Sequence, residues 1–209
     1  MFLDGYDSDY EEMMANRRRQ IKKGIILVLC IVICVIGVMM HKYNNLVEKE
    51  ENVKLAESNV ENMMQRRLEL IPDLVRTVEA FSNHEKEVFT AVSNARAELT
   101  SCLENGNVSE ISEANSELSR TVNKLIAIAE RYPELTSGQH YISLMDQLEG
   151  SVNRIAIARE DHIQVVSEYN KSIRKFPESV YARLFGFKKY ETFEADKEAK
   201  RTTMVHFGD

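Results

Sequence analysis

Residues 24–40 read GIILVLCIVICVIGVMM and carry no charge over 17 positions. As an α-helix this run rises about 25 Å, which is at the short end of the length that crosses a bilayer. It therefore predicts one transmembrane helix, which we place at residues 24–41. The rest of the chain is organised by its position relative to this helix.

The charges beside the apolar run predict its orientation. RRRQIKK, residues 17–23, places five positive charges before the run, whereas the lysines after it are sparser and mixed with glutamates. By the positive-inside rule, residues 1–23 are expected in the cytoplasm and everything after His41 on the other side. The first twelve residues are acidic and favour a disordered segment. A cleaved signal peptide fits less well, because VMMHK has no small-x-small site.

Composition limits the function classes. With 8 Gly and 3 Pro among 209 residues, and abundant helix-forming side chains, the chain favours an all-α fold. A formal net charge of -6 gives no reason to expect nucleic acid as a partner. The three cysteines do not form a disulfide framework, since two of them lie in the apolar run.

After Tyr43 the apolar residues follow the 3-4 alternation of helices that pack along a seam, as in a coiled coil. Four helical stretches result. Asn105-Gly106 predicts a turn between the second and third, Pro133 breaks the chain before the fourth, and Phe176-Pro177 ends it. Four antiparallel helices and two long bent helices in a hairpin both fit this pattern.

Pro72 lies within RRLELIPDLV, residues 66–75, in an otherwise helical pattern. Proline has no N–H, and its ring clashes with the carbonyl of residue i−4, here Leu68. We therefore predict a helix break at Pro72. The pattern allows either a sharp bend or a chain reversal with Pro72 in the first turn of a new helix.

Polar residues occupy or flank seam positions that are normally apolar. A buried charge is costly unless it is paired, so these side chains are expected to contact one another. The sequence predicts a polar layer that fixes the helix register, with Glu85 buried beside one of the arginines. A small ligand or an ion bound in this layer is the alternative. The candidate residues are Arg67, Glu85, Arg96, Arg159 and His162.

An ordered series of short sequences resembles the LemA family of bacterial membrane-anchored proteins. The series spans residues 43–207 and comprises YNNLV, RRLELIPDLV, HE, AR, ERYPEL, IAIAR, EYN, KFPES, FGF, FEA and VHF. The resemblance implies an up-and-down antiparallel four-helix bundle over residues 42–177, behind one N-terminal transmembrane helix. It implies no reaction. The tail before Arg17 lies outside the series.

No pattern of catalytic or metal-binding residues emerges. His84-Glu85 begins like a zinc motif, but position 88 is Val, and no histidine follows a glutamate at the spacing of di-iron bundles. We therefore expect no enzyme, cofactor or metal. The preferred function is a membrane-tethered scaffold that binds other envelope proteins, with a homo-oligomer left open. The alternative is an extracytoplasmic sensor that holds a ligand or an ion in the polar layer.

Residues 178–209 form an aromatic-rich extension that is expected at the membrane-proximal end of the bundle. Rings beside lysines suit the membrane–water interface. The same rings could instead cap the core, or divide between the two roles. The aromatic residues concerned are Tyr181, Phe185, Phe187, Tyr190 and Phe193.

Overall fold

The computed structural model describes residues 4–82 and 84–193, in which every regular element is helical. The helices are α1 (Asp4–Glu79), α2 (Lys86–Asn105), α3 (Val108–Ala129), α4 (Pro133–Thr136), α5 (Gln139–Ser172) and α6 (Glu178–Phe185). The predicted all-α class is confirmed. Residues 194–209, which include the VHF sequence, lie outside the described residues.

Helix α1 contains the apolar run and continues past it without interruption for 76 residues in all. Within the described residues it is the one helix long and apolar enough to cross a membrane. The chain is already helical from Asp4, so the expected disorder of the acidic segment is wrong for residues 4–12. Residues with good helix propensity, such as Glu11, Met14 and Ala15, extend the helix in that direction.

Of the two outcomes allowed at Pro72, the chain reversal is wrong, because α1 passes through this residue and ends only at Glu79. A proline leaves the carbonyl of residue i−4 without its helical hydrogen bond. That carbonyl belongs to Leu68, and it accepts a hydrogen bond of 3.2 Å from Arg96 Nε on α2. The chain reversal lies instead between Glu79 and α2. At Pro133 the predicted break is confirmed, since this residue begins the short helix α4 between α3 and α5.

The predicted turn at Asn105-Gly106 is confirmed by the ends of α2 and α3. Asn107 caps α3: its side chain accepts a hydrogen bond of 3.0 Å from the Glu110 N–H. The Glu110 carboxylate in turn accepts one of 3.0 Å from the Asn107 N–H. This reciprocal capping box satisfies two N–H groups that would otherwise lack a partner at the helix start.

Two apolar cores follow one another along the molecule. The distal core contains residues of α1 from Val60 to Val78 and residues of α2, α3, α4 and the first half of α5. The proximal core, nearer the apolar run, joins α1 to α5 and α6 through Leu46, Val53, Val166, Tyr169, Ile173 and Ala182. Helices α2 and α3 therefore cover only the distal part of the α1–α5 pair.

Three apolar residues that follow the 3-4 alternation are exposed instead of lying on the seams: Phe81, Val152 and Phe176. The first lies in the turn after α1, and the last lies beyond the end of α5 at Ser172. At Val152, the neighbouring Ser151 is buried instead, and its hydroxyl donates a hydrogen bond of 2.6 Å to the Leu148 carbonyl. Ser151 can be buried there because its hydroxyl is hydrogen-bonded within its own helix.

The chain turns back after α6 and runs along the α1–α5 pair. Gly186 makes this turn in the left-handed region, with φ of 80°, where only glycine is free of steric cost. Phe187 then lies near Tyr43, Tyr190 near Asn170, and Phe193 near His162. The segment 187–193 thus leads from the proximal core toward the distal one.

Candidate functional site

Arg67 is buried in the distal core with only neutral groups as hydrogen-bond partners. Its Nη1 donates to Asn115 Oδ1 over 3.1 Å and to Ser119 Oγ over 3.0 Å, both on α3. Burial, and after it the charge of Arg159, lower the pKa of this guanidinium. Within residues 4–82 and 84–193, no carboxylate forms an ion pair with Arg67. The Arg67 guanidinium is therefore a desolvated cation that is held by the Asn115 amide and the Ser119 hydroxyl.

Arg159 and His162 lie on α5 and meet the ring of Phe193. The guanidinium carbon of Arg159 is 5.3 Å from the ring centroid of Phe193, within the range of a cation–π contact. The His162 ring lies 5.0 Å from the same ring, in an edge-to-face arrangement. His162 is fully buried, and burial lowers its pKa, so the imidazole is kept neutral. Arg67, Arg159 and His162 thus surround one region of the interior, which we call the cationic layer.

Glu85 does not belong to this layer. It precedes α2, its side chain is 30% exposed, and it accepts a hydrogen bond of 2.6 Å from Arg131. A buried Glu85 requires a helix that continues through this residue, whereas the chain reverses between α1 and α2. Glu85 and Arg131 instead form an ion pair at the distal end, between the α1–α2 turn and the residues that follow α3.

Arg96 also lies outside the layer. It is largely exposed on α2, and its Nε donates to the Leu68 carbonyl that Pro72 leaves free. Its role is therefore to join α2 to α1 at the proline. Of the five residues predicted for the polar layer, three come together in the cationic layer and two do not.

The aromatic residues of the extension divide between the protein interior and its surface. Phe193 is fully buried, whereas Tyr181, Phe187 and Tyr190 are half-buried against the proximal core. Phe185 is 49% exposed, and its ring lies 4.8 Å from that of Tyr43. The extension therefore contacts α1 at the first turn after the apolar run.

An open groove runs between α1 and α5 on the part of the pair that α2 and α3 leave uncovered. Its volume is about 540 Å³. The α1 wall is rich in amides, the α5 wall carries two carboxylates, and apolar side chains lie between them. The lining residues are Lys49, Asn52, Leu55, Ala56, Ser58, Asn59, Asn62, Asp161, Val165, Glu168 and Tyr169.

Tyr169 connects the groove to the proximal core. Its side chain is fully buried, and its hydroxyl has no hydrogen-bond partner among the described residues. Burial first, then the charge of Glu50, raise its pKa to about 12. The hydroxyl is therefore a neutral polar group at the groove that no described side chain satisfies.

Sequence reasoning missed Asn115, Ser119 and Asn170. Asn170 holds the extension against α5: its amide donates to the Tyr190 carbonyl over 2.9 Å and accepts from the Tyr190 N–H over 3.1 Å. Asn115 falls in step with the 3-4 alternation of its helix, and an amide at such an apolar position indicates a buried hydrogen bond. Neither Ser119 nor Asn170 has a local signal, because each partner is distant in the sequence.

In the described part of the chain, no cluster of three or more His, Cys, Asp or Glu side chains could hold a metal ion. Polar side chains of the series quoted above instead contact other short sequences of the same series. Glu85 of HE binds Arg131 of ERYPEL, and Arg96 of AR binds Leu68 of RRLELIPDLV. Arg159 of IAIAR meets Phe193 of FEA. These sequences thus hold helices together.

Known proteins resemble this chain over most of its length. Residues 56–207 match the model of the LemA family. The chain is 27% identical over 197 residues to magnetosome proteins MamQ 1 and MamQ 2 of Paramagnetospirillum magneticum, covering 83% of this chain and 72% of each relative. It is 27% identical over 193 residues to magnetosome protein MamQ of Magnetospirillum gryphiswaldense, covering 81% of this chain and 71% of the relative.

Proposed function

This chain belongs to the LemA family, and on that premise we propose that it is a membrane-tethered, non-enzymatic scaffold. Its groove between α1 and α5 binds a helical segment of another membrane protein. From the MamQ relatives we carry over only a role at a membrane, which the long apolar helix also supports.

The open groove is the observation that carries this proposal. Its two walls are neighbouring helices, so its shape suits a third helix laid alongside them. Leu55 is 70% exposed on the α1 wall and offers an apolar contact. Asp161 and Glu168 line the other wall. The lysine of the groove, Lys49, already donates a hydrogen bond of 2.6 Å to the Ser172 hydroxyl. The expected occupant therefore carries a narrow apolar stripe flanked by Lys or Arg.

The scaffold is expected to be a four-helix bundle on the far side of the membrane from the N-terminus. Helices α1, α2, α3 and α5 would form an up-and-down antiparallel four-helix bundle in the distal part, since all of them contribute to the distal core. The five positive charges of residues 17–23 favour a cytoplasmic N-terminus and a bundle outside the cytoplasm, in the bacterial cell envelope.

Site-specific photo-crosslinking in the native cell tests the scaffold. A photoreactive residue at Asn59, in the groove, should give a discrete adduct with a second membrane protein. The matched control is Ile163, which is exposed on α5 but does not line the groove. Mass spectrometry of the adduct should map to a helical segment with basic residues.

Charge reversal makes the result specific. Asp161→Lys combined with Glu168→Lys should remove the adduct at Asn59 while leaving the melting temperature nearly unchanged, because both residues are exposed. An equal adduct at Asn59 and Ile163, or an adduct that survives charge reversal, contradicts the proposal. An adduct with a second copy of the chain would replace it with a homo-oligomer.

A second candidate is a sensor that binds a small anion in the cationic layer. It is supported by Arg67, whose charge has only neutral partners, and by His162, neither of whose ring nitrogens has a hydrogen-bond partner among the described residues. Phosphate or acetate should then raise the melting temperature above that in chloride at equal ionic strength. An equal response in Arg67→Met would remove this candidate.

A further inference from the structure

Helix α6 and the turn before it present an apolar stripe that no described residue covers. Phe176 is 83% exposed, Val180 55% and Leu184 66%. The three side chains are spaced four residues apart, and the last two share one face of α6. On the opposite face, Ala182 is buried in the proximal core. This short helix therefore packs Ala182 against the protein and presents a separate apolar stripe outward.

The contacts of α6 place it level with the first residues after the apolar run. Near its start, Glu178 forms an ion pair of 2.6 Å with Lys42. At its end, the ring of Phe185 lies 4.8 Å from that of Tyr43. Since both ends of α6 contact adjacent residues of α1, the short helix crosses the long one instead of running along it. A membrane-crossing α1 holds α6 roughly parallel to the bilayer plane.

The height of α6 corresponds to the membrane surface. The uncharged run, residues 24–40, rises about 25 Å, whereas the hydrocarbon core of a typical bilayer is about 30 Å thick. The polar boundary is therefore expected beyond Met40, near Lys42 and Tyr43. An α-helix with its side chains is about 10 Å across, so a helix at this level lies among the headgroups.

The charge of the region suits anionic lipid. Between residues 171 and 189 there are six cations and one carboxylate, Glu178, which is paired with Lys42. All six cations are exposed. Basic side chains close to an anionic membrane surface each add to binding and lose this effect in salt. The cations are Lys171, Arg174, Lys175, Arg183, Lys188 and Lys189.

We propose that α6 and the preceding turn are a second membrane contact, which lies in the surface of the bilayer that α1 crosses. Phe176, Val180 and Leu184 enter the boundary between headgroups and acyl chains, and the surrounding cations bind anionic phospholipid headgroups. This assignment differs from the sequence expectation, because four of the five aromatic residues predicted there are partly or fully buried against the protein. The contact is independent of the groove.

Tryptophan fluorescence tests this contact in the full-length chain, because the sequence contains 0 Trp. Leu184→Trp is reconstituted in vesicles of phosphatidylcholine and phosphatidylglycerol. We expect its emission to shift to the blue and to be quenched by lipids with brominated acyl chains. The matched control is Ile157→Trp, at a residue that is 60% exposed on the distal part of α5. It should be quenched by aqueous iodide and not by brominated lipid.

Each outcome decides the proposal. Emission at position 184 that matches position 157 overturns it. Shielding from iodide without quenching by brominated lipid also overturns it, because protein then covers the stripe. Lys188→Glu with Lys189→Glu should weaken lipid quenching in phosphatidylglycerol vesicles and change it little in pure phosphatidylcholine. Loss of the groove adduct with lipid quenching intact would reject the scaffold and leave this contact standing.

Discussion

Arg96 donates a hydrogen bond of 3.2 Å to the backbone carbonyl of Leu68, the carbonyl that Pro72 deprives of its helical partner. The proline and the arginine are 24 positions apart in the sequence and belong to different helices. Together they allow α1 to continue beyond the proline while α2 is held against it.

This relationship predicts a coupling that a double-mutant cycle can measure. Arg96→Ala should lower the free energy of unfolding by about 1 kcal/mol, because a partly buried carbonyl loses its donor. In a Pro72→Ala background, the new N–H at position 72 can satisfy Leu68, so the same change should cost much less. Urea unfolding of the four proteins gives the coupling. Equal costs in both backgrounds would show that the hydrogen bond does not compensate for the proline.

Glu85→Ala should be nearly silent, with a cost below about 1 kcal/mol, since its ion pair with Arg131 is exposed to solvent. Arg131→Ala is the matched control and should have a similarly small effect. Arg67→Ala should cost at least about 2 kcal/mol, because it leaves Asn115 buried without its donor. Thermal unfolding compares the variants. A large loss in Glu85→Ala would restore this residue to the buried layer.

His162 should make the domain less stable in mild acid. Burial lowers the folded pKa of His162 below its ordinary value of 6.5, so the unfolded chain binds the extra proton first. The stability that the neutral imidazole contributes is complete above about pH 6.5 and is lost as the pH falls below it. The measurement is the melting temperature between pH 7.5 and 5, compared with His162→Gln. Parallel curves for both proteins would contradict this assignment.

Tyr169→Phe should leave the stability unchanged or raise it slightly, because it removes a buried hydroxyl without a partner among the described residues. Tyr169→Ala should cost about 3–5 kcal/mol through loss of the ring from the proximal core. Denaturant unfolding distinguishes the two variants. A clear loss in Tyr169→Phe would indicate that a bound group uses the hydroxyl at the groove.

The positive charges of residues 17–23 predict the membrane orientation. Protease added to intact spheroplasts should degrade the domain after His41 and spare a tag on the N-terminus. Disrupted spheroplasts are the control, in which both should be cleaved. Protection of the domain in intact spheroplasts would place it in the cytoplasm.

Local signals predicted most of the helices, since hydrophobic spacing, Asn105-Gly106 and Pro133 act within a few residues. The errors arose where the decisive partner is distant. Nothing near Pro72 indicates Arg96, so no local signal predicts that the helix continues. The reversal before α2 could have been found from Ser82 and Asn83, which favour turns and helix starts. Without that reversal, Glu85 was assigned to a seam.

The candidate sites were harder to predict than the helices. The cationic layer followed in part from polar residues at seam positions, which identified Arg67, Arg159 and His162. The groove could not be predicted, because it exists only where α2 and α3 are shorter than the pair they cover. The stripe on α6 is not predicted either, because Phe176 follows the pattern of the preceding helix and the prediction for the extension rests on its aromatic residues instead of Val180 and Leu184.

The uninterrupted course of α1 makes the apolar run, which is the candidate membrane span, and the first helix of the domain one continuous helix. From His41 to Glu79 it extends about 58 Å, so a tilt of about 10° in the bilayer moves its far tip sideways by about 10 Å. Membrane helices change their tilt to match the thickness of the surrounding lipid. A small change in bilayer thickness would thus displace the α2–α3 hairpin sideways, even where it alters no contact within the domain.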